Sequence, residues 1–395
     1  MATCPHIRPD TFPLGERPIR PEPSNLTLFP AAARHGNCES DNEASTPTPG
    51  PDRRTKPASE LVGIARLAAS SPLSDARRGT EYFLLPVRSI LNRCDSERVP
   101  FEWTINPYRG CEFGCHYCYA RYTHEFMELP VDEFETKIYA KENAGALIER
   151  DMVKRYREPS AADGPDAEPG HIAIGTATDP YQPAEREFGA TRAILEKLAE
   201  REGLSLSITT KSDQVVRDLD LLKRISERSS IMVNLSVTTV RTHLARLLEP
   251  RAPRPDLRLG AVRALREAGI SAGVLAMPVL PWLTDSENDL DALAHAAAEA
   301  GAQWFAARVL HLMPSAAKHF LPFVAEKFPR LVRQYQNWYA RAANAPEKYR
   351  QTIHARVERV RQKYNLGQRP PRGGHVRKPA QMQFTLGGVT EPCHA

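Results

Sequence analysis

The chain has 395 residues, which is enough for one large domain or two of ordinary size. Its formal net charge of +5 is mild and permits an anionic partner without requiring one. The seven cysteines include three within one short segment, a distribution that suits a reducing cytosol and argues against a secreted disulfide scaffold. We find no secretory leader and no apolar run long enough to span a bilayer, so we expect a cytoplasmic protein without a membrane segment.

The first 75 residues differ in composition from the rest of the chain. They are rich in Pro, Ser, Thr, Arg and acidic residues and show no sustained apolar periodicity. This composition predicts a disordered leader, because such a segment buries too little apolar surface to offset the entropy of ordering. Cys4 and Cys38 fall in this region and are expected to be free thiols.

From residue 101 onward, strand-like runs alternate with helical stretches. The predicted strands cover residues 101–106, 171–177, 204–210, 231–238, 271–280 and 304–312. The predicted helices cover residues 136–156, 185–201, 257–268 and 284–300, and a further helix follows Ser212 and Asp213, which can cap it. The strands are short apolar runs, as expected when helices cover both faces of a parallel sheet. This alternation predicts a barrel-like α/β domain with right-handed crossovers.

Three regions follow from this pattern. We expect a disordered leader over residues 1–75, a barrel domain over 76–330 and a helical, basic C-terminal extension over 331–395. Deleting the first 70 or so residues is therefore expected to be tolerated. An open barrel has an exposed strand edge that some segment must cover, and residues 82–94 and the C-terminal helices are the candidates.

Three cysteines dominate the chemistry of the sequence. Cys111, Cys115 and Cys118 follow a C-x₃-C-x₂-C spacing, and three thiolates can hold three irons of a [4Fe–4S] cube while leaving the fourth iron open. A zinc site is the alternative, but structural zinc prefers two well-separated cysteine pairs, and His116 lies between two ligand cysteines. A disulfide fits poorly because three is an odd number. The spacing therefore favours an iron–sulfur cluster.

The longer string NPYRGC-x₂-GC-x-YCYAR resembles the radical SAM superfamily, and within it the branch related to spore photoproduct lyase. The resemblance extends over residues 103–328. It implies an open, TIM-like partial (β/α)₆ barrel, one [4Fe–4S] cluster and S-adenosylmethionine as cofactors, and an external electron donor such as flavodoxin or ferredoxin. It further implies reductive cleavage of S-adenosylmethionine to a 5′-deoxyadenosyl radical that abstracts hydrogen from a substrate, with the protein binding and shielding the cofactor.

Polar residues are expected at the carboxyl ends of the strands, where sites form in parallel barrels. The resemblance implies that Tyr117 lies against the adenine and that Lys211 binds the methionine carboxylate. Thr176, Thr178 and Asp179 offer acceptors to the methionine ammonium, and Ser236 can bond the carboxylate or the ribose. Each has a structural alternative: packing for the tyrosine, solvation for the lysine, and turn or strand formation for the others.

Two further features bear on the substrate. Glu249 and Arg251, in a Leu-Leu-Glu-Pro-Arg-Ala-Pro segment that also resembles the branch, either face the substrate or pair with each other. Spore photoproduct lyase returns a hydrogen atom from a cysteine beyond its cluster. This chain has no cysteine between Cys118 and Cys393, so thymine-dimer reversal by the same route is not expected.

A function of another class is a nucleic-acid-binding protein whose cluster is structural or redox-sensing. Its support is a set of basic residues that fall in one region and in the tail: Arg241, Arg246, Arg251, Arg254, Arg258, Arg369, Arg372, Arg377 and Lys378. Basic patches bind phosphate backbones with little specificity, although most are simply solvated. The substrate class stays open, with nucleic acid as one possibility.

Overall fold

The structure, a computed structural model, describes residues 52–77, 79–96, 99–154, 156 and 170–368. Cys4 and Cys38, which are expected to be free thiols, and the basic residues of the tail lie outside these ranges. Eleven strands are present in this part of the chain: β1 (Leu73–Arg77), β2 (Thr80–Leu85), β3 (Leu91–Arg93), β4 (Trp103–Ile105), β5 (Tyr108–Arg109), β6 (Lys137–Lys141), β7 (Ile172–Ile174), β8 (Ser205–Thr210), β9 (Ser230–Ser236), β10 (Ser271–Val279) and β11 (Phe305–Val309).

Twelve α-helices accompany these strands within the described ranges. They are α1 (Gly63–Ala69), α2 (Tyr122–Glu125), α3 (Ala144–Lys154), α4 (Glu185–Phe188), α5 (Ala190–Leu198), α6 (Leu219–Arg228), α7 (Thr242–Leu248), α8 (Pro255–Glu267), α9 (Glu287–Glu299), α10 (Pro314–Lys327), α11 (Val332–Tyr339) and α12 (Glu347–Lys363). No helix in the described residues is both long enough and apolar enough to cross a bilayer.

The larger sheet has seven strands in the order β11-β10-β9-β8-β7-β4-β3. Its strands β4, β7, β8, β9, β10 and β11 run parallel, and helices lie between successive members. These are the six predicted strands, each shortened or shifted at its ends. The predicted partial (β/α)₆ barrel, followed along the chain by further helices, is therefore confirmed.

The inward face of β9 carries polar residues. The indole of Trp304 donates to the Asn234 amide oxygen at 3.2 Å, and the Asn234 amide donates to the Ile208 carbonyl at 3.1 Å. A Cβ at Gly273 would lie 2.3 Å from the Trp304 ring, so only glycine allows this close approach. The barrel interior at this level is filled by side chains and is not a channel.

A second sheet, of four strands in the order β1-β2-β6-β5, was not predicted. The helix expected over 136–156 is wrong in its first part, because residues 137–141 form β6 and the helix begins only at Ala144. Ile138 and Ala140 pack into the main core, while Tyr139 packs into a separate cluster against Phe83. Burial on alternate sides is the strand period of two.

Short segments pair with both edges of the barrel sheet: one lies in the predicted residues 82–94, and the other follows the last C-terminal helix instead of lying within it. At one edge β3 pairs antiparallel with β4, with Leu91 opposite Ile105. At the other edge the amide of Phe305 donates to the Gly367 carbonyl at 3.2 Å, and the Gly367 amide donates to Gln303 at 2.9 Å. One edge of the sheet is thus the three-residue strand β3, and a short edge strand gives little template for association.

The last part of the expected leader is ordered. Residues 63–69 form α1 and residues 73–77 form β1, which pairs antiparallel with β2. Leu61, Ala65 and Ala68 are at most 4% exposed. The disorder expected up to residue 75 is thus wrong for these residues, because a short amphipathic helix gives too few turns for its periodicity to stand out.

This order reverses the expected effect of truncation. Deletion of residues 1–70 should lower the free energy of unfolding and the soluble yield, because it removes α1 and uncovers the apolar cluster beneath it. Deletion of residues 1–50 leaves every described residue in place and is the matched control. Urea denaturation of the two truncations measures the difference. Equal stability of both would mean that α1 contributes nothing.

Candidate cofactor site

The three clustered cysteines lie in the loop that follows β5, at the carboxyl end of the barrel strands. Gly110 opens this loop with a φ of 80°, and a Cβ there would lie 2.7 Å from the Lys137 carbonyl oxygen. The amide of Cys111 donates to the Phe134 carbonyl at 3.0 Å. The loop therefore turns tightly against the segment before β6, which only glycine permits at position 110.

The three thiols are free and act on one another electrostatically. Burial, the charge of Asp179 and the other two thiols raise the pKa of Cys111. Burial raises the pKa of Cys115 to about 12, against the opposing charge of Lys211. Burial also raises the pKa of Cys118. The thiols are thus protonated at neutral pH, and binding of a metal or cluster must release protons.

These residues fit an iron–sulfur cube better than a single metal ion. In the part of the chain that the structure describes, no three His, Cys, Asp or Glu side chains are arranged to hold one ion. Thiolates on one zinc ion each bond at about 2.3 Å and must converge closely. A cube does not require that convergence, because each cysteine binds a different iron.

The loop after β7 holds the cysteine loop in place. The Thr178 hydroxyl donates to the Gly110 carbonyl at 2.6 Å, and the Gln182 amide bonds both groups. The Gln182 oxygen also accepts from the Glu112 amide at 2.9 Å. Thr178 is buried, so its hydroxyl serves this contact. Sequence reasoning missed Gln182, four residues after Thr178, because a glutamine in a loop carries no spacing signal.

Asp179 links the ends of two strands. Its carboxylate accepts from the Thr210 hydroxyl at 2.6 Å, from the Lys211 amide at 2.7 Å and from the Tyr181 amide at 2.9 Å. Thr176 lies nearer β7, and its hydroxyl accepts from the Asn106 amide at 3.0 Å. Asp179 stands beside Cys111, whereas Thr176 is half-buried at the rim. Binding of an ammonium group by these residues stays a prediction.

Lys211 follows β8 and points toward the thiols. Burial opposes its charge, but the Cys115 thiol and the Glu249 carboxylate raise the pKa of Lys211 above its usual value. Its ammonium lies 5.6 Å from the centre of the Tyr117 ring. Among the described residues the ammonium has no ion-pair partner within 4 Å, so it is a cation available to an anionic ligand.

Tyr117 belongs to a buried polar cluster that sequence reasoning did not find. Its hydroxyl hydrogen-bonds the Thr238 hydroxyl at 2.8 Å and donates to Glu249. Glu249 in turn forms an ion pair with Arg258, and each of these two side chains is 1% exposed. The proposed alternative that Glu249 pairs with Arg251 is wrong, because Arg251 is exposed and donates to Thr80 and to the Glu135 carbonyl.

Neighbouring cations keep the Glu249 carboxyl group ionised. Burial works against ionisation, but Arg258 and Lys211 lower the pKa of Glu249 to about 2 from an ordinary 4.5. A pKa lowered by folding stabilises the folded state above the unfolded pKa. This contribution is present above about pH 4.5 and is lost as the pH falls toward 2.

Ser236 ends β9 on the same inward face as Asn234 and Thr238. The side chain is 6% exposed. Its backbone carbonyl accepts from Arg258 at 3.0 Å, whereas its hydroxyl has no hydrogen-bond partner in the described ranges. A hydroxyl that has no partner within the protein is available to a ligand.

Helix α10 covers the outer side of the cysteine loop, which sequence reasoning also missed. The His116 ring stacks on the Phe323 ring with centroids 3.9 Å apart, and its Nδ1 lies 3.0 Å from Nε2 of His319. Burial lowers the pKa of His116 and of His319 to about 4, so both rings are neutral at neutral pH. The helix shields the loop from solvent on that side.

The arginines that motivated a nucleic-acid-binding surface are largely engaged within the fold. Arg258 is buried with Glu249, Arg241 pairs with Asp289 and Arg254 pairs with Asp256. These three therefore do not form a free cationic patch.

Comparisons with known proteins agree with this geometry. The profile of the radical SAM superfamily matches residues 105–294. An uncharacterized protein of Mycobacterium tuberculosis is 33% identical over 332 residues, which cover 84% of this chain and 92% of that protein. An uncharacterized protein of Methanocaldococcus jannaschii is 33% identical over 186 residues, covering 47% of this chain and 63% of that protein.

Among solved structures, spore photoproduct lyase shares the fold. A variant of it with bound AdoMet and dinucleoside spore photoproduct matches with a TM-score of 0.55 at 16% identity. The match covers 78% of this chain and 86% of that chain.

Proposed function

The chain belongs to the radical SAM superfamily of enzymes, and on that premise we propose that Cys111, Cys115 and Cys118 hold one [4Fe–4S] cluster beside a bound S-adenosylmethionine. When bound, the two cofactors supply a 5′-deoxyadenosyl radical that abstracts hydrogen from the substrate. The protein's own work is to bind, orient and shield them. An external one-electron donor of the flavodoxin or ferredoxin type supplies the reducing equivalent.

The observation that carries this proposal is that the unpaired ammonium of Lys211 lies near the three free thiols. The charge of Lys211 favours ionisation of the Cys115 and Cys118 thiols. Lys211 lies at the same strand ends that carry Asp179 and Ser236. An ammonium suits a carboxylate as a point charge, so Lys211 would hold the methionine carboxylate. The carboxylate of Asp179 and the hydroxyl of Thr176 would face the ammonium of the same amino acid. The Thr178 hydroxyl, which the sequence also offered for this role, instead bonds the Gly110 carbonyl and holds the cysteine loop.

The hydrogen bonds of Tyr117 limit the ways in which this residue can contact an adenine. Glu249 and Thr238 occupy the Tyr117 hydroxyl and fix the orientation of the ring. A ligand can therefore contact the ring itself but cannot hydrogen-bond the hydroxyl. Lys211 already lies near that ring. If the carboxylate of S-adenosylmethionine binds the Lys211 ammonium, the Tyr117 ring becomes free to contact the adenine.

Lys211→Ala and Ser236→Ala test these assignments without touching the metal ligands. Loss of the charge-assisted contact at Lys211 should weaken S-adenosylmethionine binding by about ten- to hundredfold, and loss of the neutral Ser236 bond by less. Calorimetric titration of the reconstituted variants measures both, and iron content should stay at the wild-type value. Lys223→Ala, an exposed lysine of α6, is the matched control.

Wild-type affinity in both variants would contradict the assignment of the cofactor to these residues.

For the substrate we propose a nucleic acid or a nucleotide. The support is the fold shared with an enzyme whose solved complex holds a dinucleoside spore photoproduct. The absence of any cysteine between Cys118 and Cys393 sets this chain apart from the hydrogen-return chemistry of that enzyme.

A further inference from the structure

Two cationic side chains lie on one face of the smaller sheet, next to the cysteine loop. Arg109 of β5 is opposite Tyr139 of β6 in the antiparallel register, and Lys141 follows Tyr139 by two residues. Residues two apart on a strand point to the same side, and a diagonal neighbour across the strands is within reach of long side chains. Lys141 is only 7% exposed, and Arg109 is half-buried with its Nε fully enclosed.

Neither cation has a partner among the described residues. The Nε of Arg109 has no hydrogen-bond acceptor, and neither side chain forms an ion pair. Burial and the charge of Arg109 lower the pKa of Lys141 to about 7, and Asp151 acts on it only from a distance. The Asp151 carboxylate is already bonded by Ser89 and by the amides of Ile90 and Leu91.

The cluster itself does not account for these charges. The cations whose charge lowers the pKa of the Cys115 or Cys118 thiol are Lys211, Arg121 and Arg258. Arg109 lies instead beside the phenol of Tyr122. Two like charges buried together are unfavourable unless an anion joins them.

An exposed aromatic side chain, Phe126, packs against Tyr122, the neighbour of Arg109. The Tyr122 ring packs edge-on against Phe126, with centroids 5.4 Å apart, and Phe126 is 61% exposed. Cations for phosphates beside an accessible ring for a base are the combination used by proteins that bind single-stranded nucleic acid.

We propose that Arg109 and Lys141 form an anion subsite that binds a phosphate group of the substrate. An arginine fork together with a lysine point charge suits the several oxygens of a phosphate. The inference rests on the proposed function, since it names the part of a nucleotide substrate that this enzyme would recognise.

The test is calorimetric titration of the reconstituted, S-adenosylmethionine-saturated protein with three probes: inorganic phosphate, thymidylyl-(3′→5′)-thymidine and acetate. Lys141→Met and Arg109→Gln should each weaken binding of both phosphate probes by about ten- to hundredfold. Arg93→Gln removes an exposed charge on β3 and should bind as the wild type does. Acetate should bind more weakly than phosphate.

Thermal unfolding supplies a second readout that a structural role for Lys141 would not give. Without phosphate, Lys141→Met should melt at or above the wild-type Tm, because it removes an unpaired buried charge. Phosphate should raise the Tm of the wild type and leave that of the variant unchanged. A lower Tm for Lys141→Met without phosphate would overturn the proposal, as would equal affinity for acetate and phosphate.

The result is separable from the proposed function. A wild-type protein that forms 5′-deoxyadenosine yet binds neither phosphate probe would overturn the anion subsite alone.

Discussion

Alanine at Cys111, Cys115 or Cys118 is expected to reduce the iron content of the reconstituted protein from about four atoms per chain to nearly none. Cys115 and Cys118 both lie close enough to Cys111 to affect its ionisation, and no other cysteine lies in the loop to replace a lost ligand. Iron and sulfide analysis after anaerobic reconstitution measures the loss, together with the visible absorbance of the cluster.

Cys94→Ala is the matched control for these variants. Cys94 is also free and half-buried, but it lies after β3 and outside the loop. Its replacement should leave the iron content unchanged. Full iron content in any one of the three loop variants would remove that cysteine from the ligand set.

Breaking the buried pair of Glu249 and Arg258 is expected to have the largest effect on stability. Arg258→Met should lower the free energy of unfolding by about 3–5 kcal/mol, because it leaves the Glu249 charge buried without its main partner. Glu249→Gln should be destabilising for the same reason, and it also weakens the acceptor of the Tyr117 hydroxyl. Urea denaturation at pH 7 measures both.

Arg254→Met provides a control on the same helix region. Arg254 pairs with Asp256 in solvent, where ion pairs contribute little. The double variant with Glu249→Gln and Arg258→Met should be less destabilised than the sum of the single variants, since no unpaired charge remains. Additive single effects would mean that the two side chains act independently.

The barrel and the cluster loop were predictable because their signals are local. Strands such as β9 and β10 are short, mainly apolar runs, and the spacing of Cys111, Cys115 and Cys118 is specific within eight residues. Lys211 was located by the same reasoning, from its position directly after a strand. For these elements a short window of sequence determines what the backbone does.

The remaining parts depend on contacts between distant segments. Residues 137–141 contain apolar residues at spacings that a helix also permits, and only pairing with β2 and β5 makes them a strand. Glu249 pairs with Arg258 instead of the nearer Arg251 because α8 turns Arg258 inward. The cover provided by His319 and Phe323 comes from a helix about 200 residues after the loop.

The central claim is that this chain uses its cysteine loop to cleave S-adenosylmethionine reductively. The most direct measurement is the amount of 5′-deoxyadenosine formed when the anaerobically reconstituted protein is mixed with S-adenosylmethionine and dithionite. We predict 5′-deoxyadenosine from the wild type and none from Cys115→Ala. A wild-type protein that carries a full cluster but forms no 5′-deoxyadenosine, with or without nucleic acid present, would contradict the claim and leave the cluster a structural or redox-sensing group.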